Sequence, residues 1–374
     1  MSIRPGPDGP PRVDPDLDPD RATSEVALDS LPVRDLFAKF LDSELGRERF
    51  ASVGMSVDRA TLEREQRLVT EATALVRAQG SFSFVELADP RASLEEAGIT
   101  GYALESSELL AVASFLERAG ELRRWLMGAS GSGTYPELRA RATLLPVLDE
   151  LAQMIRRHYL PSGELDDRAS PELQRIRRGV ERQRRTIETA LQQQLRRLAA
   201  DDILQEELIT IRGERLVLPV RVEHRRRVQG ILHGSSSTGQ TLYVEPLETI
   251  ELNNELVALL EEEQEEMRRI RAALTAAVAA QAGEVARAAT GLGELEFQLA
   301  KGRFAVAYEA GAAEFASETE PVLELRGARH PLLVATLRER GRKVVPLDLT
   351  LDTARVLVIS GPNAGGKTVA LKTV

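Results

Sequence analysis

The 374-residue sequence contains no cysteine, which excludes disulfide bonds, thiolate metal sites and cysteine nucleophiles. Its four histidines are too scattered to indicate a zinc cluster. Aromatic residues make up only 4% of the chain, so platforms for stacking exposed nucleic-acid bases are scarce. No apolar run approaches the roughly 18–20 residues that span a bilayer, and the amino terminus lacks a signal-peptide core. These absences predict a cytoplasmic protein without a membrane partner.

Lysine is also scarce. The chain carries 49 Lys plus Arg against 58 Asp plus Glu, a net charge of −9, and only five of the cations are lysine. Because a planar guanidinium cannot replace a compact ammonium everywhere, each lysine is a candidate for a specific role. The hydrophobic fraction of 43% is typical of a globular protein, and the length predicts two or three domains.

The first part of the chain divides into a tail and a helical region. Six prolines and five aspartates fall in the first twenty positions, so we predict a disordered tail over residues 1–30. From residue 31 to residue 170 apolar side chains recur mainly at helical spacing, which predicts a helical module.

Residues 171–287 are predicted to form two long helices separated by short strands. Ser170 as cap and Pro171 at the first position open a helix over Pro171–Ala200, whose apolar stripe is narrow and whose other faces are rich in arginine. From about residue 203 to residue 247 the apolar period drops towards two, which predicts a β module. A helix with an acidic outer face then returns over Leu252–Arg287. This pattern favours an antiparallel coiled-coil arm tipped by the β module, with two unrelated surface helices as the alternative.

The carboxyl-terminal segment contains the strongest motif. The sequences PVLELRGARHPLL and VPLDLTLD are predicted strands, and Arg355–Ser360 is predicted to be a strand buried on both faces of a parallel sheet. The next residues, GPNAGGKT, match G-x-x-x-x-G-K-[ST], the Walker A loop that wraps nucleotide phosphates. Lys367 is expected to reach the β- and γ-phosphates of ATP, and the Thr368 hydroxyl is expected to ligate Mg²⁺. A glycine-rich turn with an unrelated lysine is the alternative.

The predicted nucleotide site is incomplete as an enzyme. An ATPase also needs an acidic pair on another strand, and Asp348 and Asp352 precede the loop too closely to serve. We therefore assign no catalytic residue and expect the 374 residues alone to show little or no ATP turnover.

A basic cluster stands out in the β module. Arg221, Arg225, Arg226 and Arg227 lie near a predicted strand end in a protein that is acidic overall, which indicates a local contact with nucleic acid. A solvated strand edge is the alternative. The arginine run from Arg175 to Arg185 is predicted either to pair with the acidic return helix or to bind nucleic acid.

Three other groups of polar residues are given structural roles. We expect His330 to be satisfied by backbone at a strand end. Asn253 and Asn254 are predicted to cap the return helix or to hydrogen-bond in the core, and Ser235–Thr238 is predicted to be a turn.

Several segments resemble the MutS family, specifically its second bacterial subfamily, which lacks the mismatch-recognition domain. They are the frame GARHPLL…VPLDLTL…VLVISGPNAGGKT and, upstream, DDRASPELQRIRRGV, LITIRGERLVLPVRVEHRRRVQGILHGSSSTGQTLYVEP and LEFQLAKGRFA. The resemblance covers roughly residues 31–374. One departure is Gly234, where the subfamily usually places an acidic residue.

The resemblance implies a mainly α fold with a small β module and the start of an α/β P-loop domain. Expected domains are a helical core/lever domain (31–170, returning at 288–318), coiled-coil arms with a β clamp (171–287) and a truncated ABC-type ATPase domain (319–374). By position, the nucleotide-binding roles pass to Gly361, Asn363, Gly365, Gly366, Lys367 and Thr368.

The resemblance also implies a function, namely ATP-dependent binding of branched or structured DNA, suppression of recombination, or splitting of collided ribosomes through rRNA contacts. Relatives are homodimers with a carboxyl-terminal endonuclease domain, none of whose residues can be transferred here. The competing hypothesis is a non-catalytic coiled-coil scaffold with a vestigial P-loop. A recombination-type or SMC ATPase is disfavoured because its P-loop usually precedes the coils.

Overall fold

The computed structural model describes residues 29–129, 135–199, 203–206, 208–316, 323–351, 356–362 and 366–374. Most of the predicted tail, residues 1–28, lies outside these ranges. The described part is mostly helical, with two small antiparallel sheets. The helices are α1 Ser30–Ala38, α2 Glu44–Ala51, α3 Arg59–Gln79, α4 Arg91–Ala97, α5 Ser106–Gly128, α6 Pro136–Thr143, α7 Asp149–Arg156, α8 Pro171–Ala199, α9 Ile250–Ala280, α10 Ala282–Tyr308, α11 Pro331–Glu339 and α12 Lys367–Thr373. The strands are β1 Thr210–Arg212, β2 Arg215–Arg221, β3 Gly230–Ser235, β4 Thr241–Pro246, β5 Leu323–Ala328 and β6 Leu347–Leu351.

The chain forms two compact units. One comprises Met1–Asp89, Ala119–Pro146 and Arg287–Val374, and the other comprises Pro90–Arg118 and Val147–Ala286. In the described residues, no helix is long and apolar enough to cross a membrane.

The core of the first unit forms around α10. Glycines let α10 approach its neighbours closely, since a Cβ at Gly302 would lie 2.7 Å from the Ala72 backbone and one at Gly293 would lie 2.8 Å from the Leu45 carbonyl oxygen. The buried Glu296 carboxylate accepts hydrogen bonds from the backbone N–H groups of Asp42 at 2.6 Å and Ser43 at 2.8 Å. A negative charge at the start of α2 also suits the helix dipole there.

Lys301 has a structural role in this unit. Its ammonium lies 2.7 Å from a carboxylate oxygen of Glu65. Burial lowers the pKa of Lys301. Burial by itself raises the pKa of Glu65, but the hydrogen bonds from Lys301 and Gln298 lower it, and the net change is a decrease. One of the five lysines is therefore accounted for by an ion pair between α3 and α10.

The second unit contains the two long helices predicted as an arm. The helix predicted over Pro171–Ala200 is confirmed as α8, and Ser170 caps it by accepting the Leu173 N–H at 2.9 Å. Residues further along α8 contact residues earlier in α9. Arg177 pairs with Glu263 at 2.8 Å, whereas Gln183 donates to the Leu252 carbonyl at 2.9 Å. The helices α8 and α9 are thus antiparallel, and their shared apolar seam contains Ile176, Val180, Ile187, Leu191 and Leu256.

The β module between these helices is a four-stranded antiparallel sheet with the order β1-β2-β4-β3. Residues Leu216–Val220 of β2 are all buried, and the sheet joins the apolar cluster of α8 and α9. The alternating pattern that predicts the β module does not mark strand β3, because its sequence, GILHGS, is short and rich in glycine.

The buried Asn253 of α9 connects the helix to this sheet. It accepts the Leu216 N–H at 3.0 Å and donates to the Leu216 carbonyl at 3.1 Å. The prediction of core hydrogen bonding is confirmed for Asn253, whereas capping is wrong because Thr249 occupies the N-cap position. The turn predicted for Ser235–Thr238 is confirmed after Ser235, where the Gly239 N–H bonds to the Ser236 carbonyl at 2.9 Å.

The carboxyl-terminal segment departs from the predicted parallel sheet. Strands β5 and β6 pair antiparallel, and the strand predicted through PVLELRGARHPLL gives way to α11, which begins at Pro331. Residues 356–360 form no strand, and Val356 and Val358 are 78% and 84% exposed, so the prediction of a buried strand is wrong for these residues. The physical reason is that such a strand is buried only by paired neighbours and covering helices, and no described residue pairs with it.

Candidate nucleotide-binding loop and nucleic-acid interface

The glycine-rich loop leads directly into a helix. Gly366 has φ +80°, a left-handed conformation that suits glycine, and forms the N-cap of α12, which begins at Lys367. The helix start expected after the motif is therefore present, whereas the described residues before the loop, 356–360, form no strand. Asn363 and Gly365 lie outside the described residues.

The described loop residues fit phosphate and Mg²⁺ chemically. The Lys367 ammonium donates to the Gly361 carbonyl, so the cation lies over the first residue of the loop. A Cβ added at Gly361 or Gly366 would meet nothing within 4 Å, which leaves open space beside the backbone. The exposed Thr368 hydroxyl, the ammonium and the first N–H groups of α12 are the groups that a Mg²⁺-triphosphate requires.

A small cavity of about 230 Å³ lies beside α12. Its lining includes His330, Thr336 and the ion pair between Lys372 and Asp29, whose charged atoms are 2.7 Å apart. Burial lowers the pKa of His330, which is 6% exposed. Its imidazole makes no hydrogen bond with the described part of the chain, so the predicted satisfaction by backbone is wrong.

The four arginines of the predicted nucleic-acid cluster fall into two kinds. Arg221 is half-buried at the end of β2 and donates to the Leu204 carbonyl at 3.1 Å. Arg225, Arg226 and Arg227 are exposed on the 3₁₀ turn Val222–Arg227 that follows. Arg225 and Arg226 make no ion pair with any described residue. The exposed turn is therefore available to a polyanion, whereas the Arg221 side chain joins the end of β2 to Leu204.

A buried polar network in the β module was missed by sequence reasoning. The fully buried Glu245 of β4 accepts a hydrogen bond from Arg215 at 2.9 Å and pairs with a His233 ring nitrogen at 2.6 Å. Arg215 also donates to Asn254 at 2.6 Å. A glutamate inside the apolar strand TLYVEP was the one available signal, because a buried carboxylate requires partners.

The arginines of α8 also divide. Arg175 pairs with Glu262 of α9 at 3.3 Å, and Arg177 pairs with Glu263 and with Asp167. Arg178, Arg182 and Arg184 are exposed and make no ion pair within the described ranges. The predicted pairing with the return helix thus holds for only part of the run.

Comparison with known proteins gives a consistent result. No protein-family model matches the chain. It is 38% identical over 332 residues to Endonuclease MutS2 of Pelotomaculum thermopropionicum, covering 88% of this chain and 41% of that protein. It is 35% identical over 354 residues to Endonuclease MutS2 of Symbiobacterium thermophilum (93% and 42%), and 36% identical over 355 residues to that of Thermomicrobium roseum (91% and 43%).

The chain therefore spans about two fifths of the length of the curated relatives it matches. Its mostly helical architecture with small antiparallel sheets is consistent with a fragment of a MutS-like protein. Homologues named Endonuclease MutS2, similar over most of this chain, support its assignment to the MutS2 subfamily.

Proposed function

We propose that this chain is the amino-terminal part of a MutS2-type protein that binds nucleic acid under the control of ATP and Mg²⁺. The observation that carries the proposal is a similarity to MutS2 proteins that covers 88–93% of the chain and includes both long helices and the β module. The arm α8–α9 and its β module correspond in this proposal to the coiled-coil arms and clamp, and residues 319–374 correspond to the start of the ATPase domain.

The proposed nucleotide site consists of Gly361, Asn363, Gly365, Gly366, Lys367 and Thr368. Support comes from the helix that begins at Lys367 and from the position of its ammonium over Gly361. If MgATP bound there, its binding free energy would be available to shift the affinity of the protein for nucleic acid. Lys367 would neutralise phosphate charge, and Thr368 would hold the metal ion.

The proposed nucleic-acid interface is the exposed turn with Arg225, Arg226 and Arg227, together with Arg221 at the end of β2. Support comes from its exposure and its local charge on an acidic chain. Because aromatic residues are scarce, we expect contacts to phosphates and to the shape of the nucleic acid rather than to stacked bases. Structured or branched DNA and ribosomal RNA are the proposed partners, in a cytoplasmic homodimer that acts in recombination control or ribosome rescue.

The nucleotide site is tested by calorimetric titration of MgATP into the full chain and into Lys367→Ala. Lys372→Ala is the matched control, because it removes another lysine from the same helix. We expect Lys367→Ala to weaken binding at least about tenfold and the control to change it less than about twofold, since removing a charge-assisted hydrogen bond costs ~1.5–3 kcal/mol. Absence of nucleotide binding by the parent chain would favour the scaffold hypothesis instead.

The nucleic-acid interface is tested by reversing the charge of Arg225, Arg226 and Arg227 to glutamate. Affinity for a four-way DNA junction and for an rRNA fragment should fall. The dependence of log affinity on log salt should become shallower by about 0.9 for each phosphate that the protein no longer neutralises. Unchanged affinity and unchanged salt dependence would contradict the assignment of this turn to nucleic-acid binding.

A further inference from the structure

The outward face of α8 carries a line of arginines. At about 100° per residue, Arg178, Arg182, Arg185 and Arg196 all fall within about 40° of the direction opposite the buried stripe of Ile176, Ile187 and Leu191. All four are exposed. With a rise of about 1.5 Å per residue, this arginine row is about 27 Å long.

The acidic helix α9 does not neutralise the arginine row. Its carboxylates pair with Arg175 and Arg177, which lie nearer the seam. Within the row, Arg185 pairs with Glu181 at 3.2 Å, but both side chains are more than 70% exposed, so this contact is weak. Arg178, Arg182 and Arg196 make no ion pair with the residues that the structure describes.

The rest of the face is polar and contains no aromatic residue. Thr189, Gln192 and Gln193 lie between Arg185 and Arg196 and are exposed. On α8 itself, the acidic residues nearest to the face are Glu181 and Glu188, both at one edge, and Glu262 of α9 lies at the other edge, where it pairs with Arg175. The face therefore suits phosphates rather than unstacked bases, because stacking platforms are missing.

The spacing favours B-form DNA. Arg178, Arg182 and Arg185 span about 10 Å, and a gap of about 16 Å without an arginine on this face separates them from Arg196. This gap accommodates the major groove of B-DNA, which is about 12 Å wide, between two phosphate strands, whereas the major groove of A-form RNA is narrow. Because α8 is paired with α9, the arm is wider than this groove, so a bound duplex would meet the arm at the edges of the groove.

We propose that the arginine row of α8 binds the phosphate backbone of duplex DNA across one major groove, along the arm and separately from the turn Val222–Arg227. The inference rests on the proposed nucleic-acid binding and adds a second surface to it. Both surfaces contact phosphates, so the row contributes affinity and orientation without reading sequence.

The test uses the full chain and a fluorescent 30-base-pair DNA duplex, with affinity measured by anisotropy from low to high salt. The row variant is Arg178→Gln/Arg182→Gln/Arg196→Gln. The matched control is Arg64→Gln/Arg77→Gln/Arg184→Gln, which removes the same charge from exposed positions, one of them on α8 but about 120° from the row. We expect the row variant to bind roughly 10- to 100-fold more weakly, with a salt slope shallower by about 2.7. The control should retain most of the slope.

Three outcomes would overturn the inference. One is an equal slope change in the row variant and the control. Another concerns an A-form RNA duplex. If the parent chain bound this RNA as tightly as DNA, and the row variant lost as much affinity for the RNA as for the DNA, the choice of B-DNA would be rejected. The third is loss of binding only on charge reversal of Arg225–Arg227, which would leave the proposed function intact and reject the row. If the parent chain bound no nucleic acid, the proposed function itself would fail.

Because the row is exposed, the thermal unfolding temperature of the row variant should match that of the parent. The single variants Arg178→Gln and Arg196→Gln should each make the salt slope shallower by about 1.

Discussion

The two small sheets of this protein have similar alternating sequences but different surroundings. In the β module, five consecutive residues of β2 are buried, from Leu216 to Val220. In the β5–β6 sheet no residue is buried. Strand β2 has a neighbour on each edge, and α8 and α9 cover the module. The difference shows that local pattern selects a strand, whereas burial depends on the tertiary partners that the strand meets.

The polar side chains follow the same division. In the β module, Asn253 bonds both backbone groups of Leu216, and Glu245 binds Arg215 and His233. In the carboxyl-terminal segment, among the described residues from 323 onward, His330 is the only buried side chain. The first region is stabilised by a core with satisfied polar groups, and the second has almost no core of its own.

The largest effect is expected from truncating a core side chain of the β module. Leu218→Ala should lower the free energy of unfolding by about 3 kcal/mol, because it removes buried apolar surface and leaves a cavity. Urea denaturation followed by circular dichroism measures this change. Leu323→Ala, in the partly exposed β5, is the matched control and should cost less than about 1 kcal/mol. Equal costs at the two positions would show that the sheets do not differ in burial.

Asn253→Ala should have the next largest effect. It leaves a buried N–H and a buried carbonyl of Leu216 without their partners, which costs about 2 kcal/mol. Asn254→Ala is the control, because Asn254 is exposed and its replacement removes only the hydrogen bond from Arg215, at a cost below about 1 kcal/mol. The same denaturation measurement applies, and a cost for Asn253→Ala no greater than that of its neighbour would contradict the role of Asn253 as a buried link.

The arm was largely predictable because its signals are local. Ser170 and Pro171 mark the start of α8, its apolar stripe repeats at helical spacing, and the basic or acidic character of α8 and α9 is visible in each segment alone. Strand β3 and helix α11 were missed. The first depends on pairing with β4, and the second begins at a proline that was included in a predicted strand. Long-range pairing leaves little trace in a short segment.

The candidate sites were predictable to different degrees. The start of α12 at Lys367 follows from the motif, but the exposure of residues 356–360 does not, because burial of that run depends on elements outside it. On α8, residue type alone could not separate Arg177, which pairs with Glu263, from Arg178, which faces outward. Adjacent helical positions differ by about 100°, so only the position of the partner helix decides.

The smallest effect concerns the one buried side chain of the described carboxyl-terminal residues. Burial first, and then the Lys372 ammonium, lower the pKa of His330, partly opposed by Asp29. The folded state therefore binds fewer protons than the unfolded state, in which the pKa is near 6.5, so local stability is full above that value and falls as the pH drops through it.

The α11 amide of Val334, which donates to the His330 carbonyl at 3.0 Å, reports this decrease in stability by hydrogen exchange corrected for intrinsic rate. Between pH 8 and pH 5 its protection should decrease roughly two- to fivefold, equal to at most about 1 kcal/mol. The decrease should vanish in His330→Gln, while the Gln174 amide at the start of α8 should change little in either protein. If the protection of the Val334 amide still depended on pH in His330→Gln, another group would be responsible for that dependence. The stability of the carboxyl-terminal segment would then be spread over many contacts, as it is in the β module.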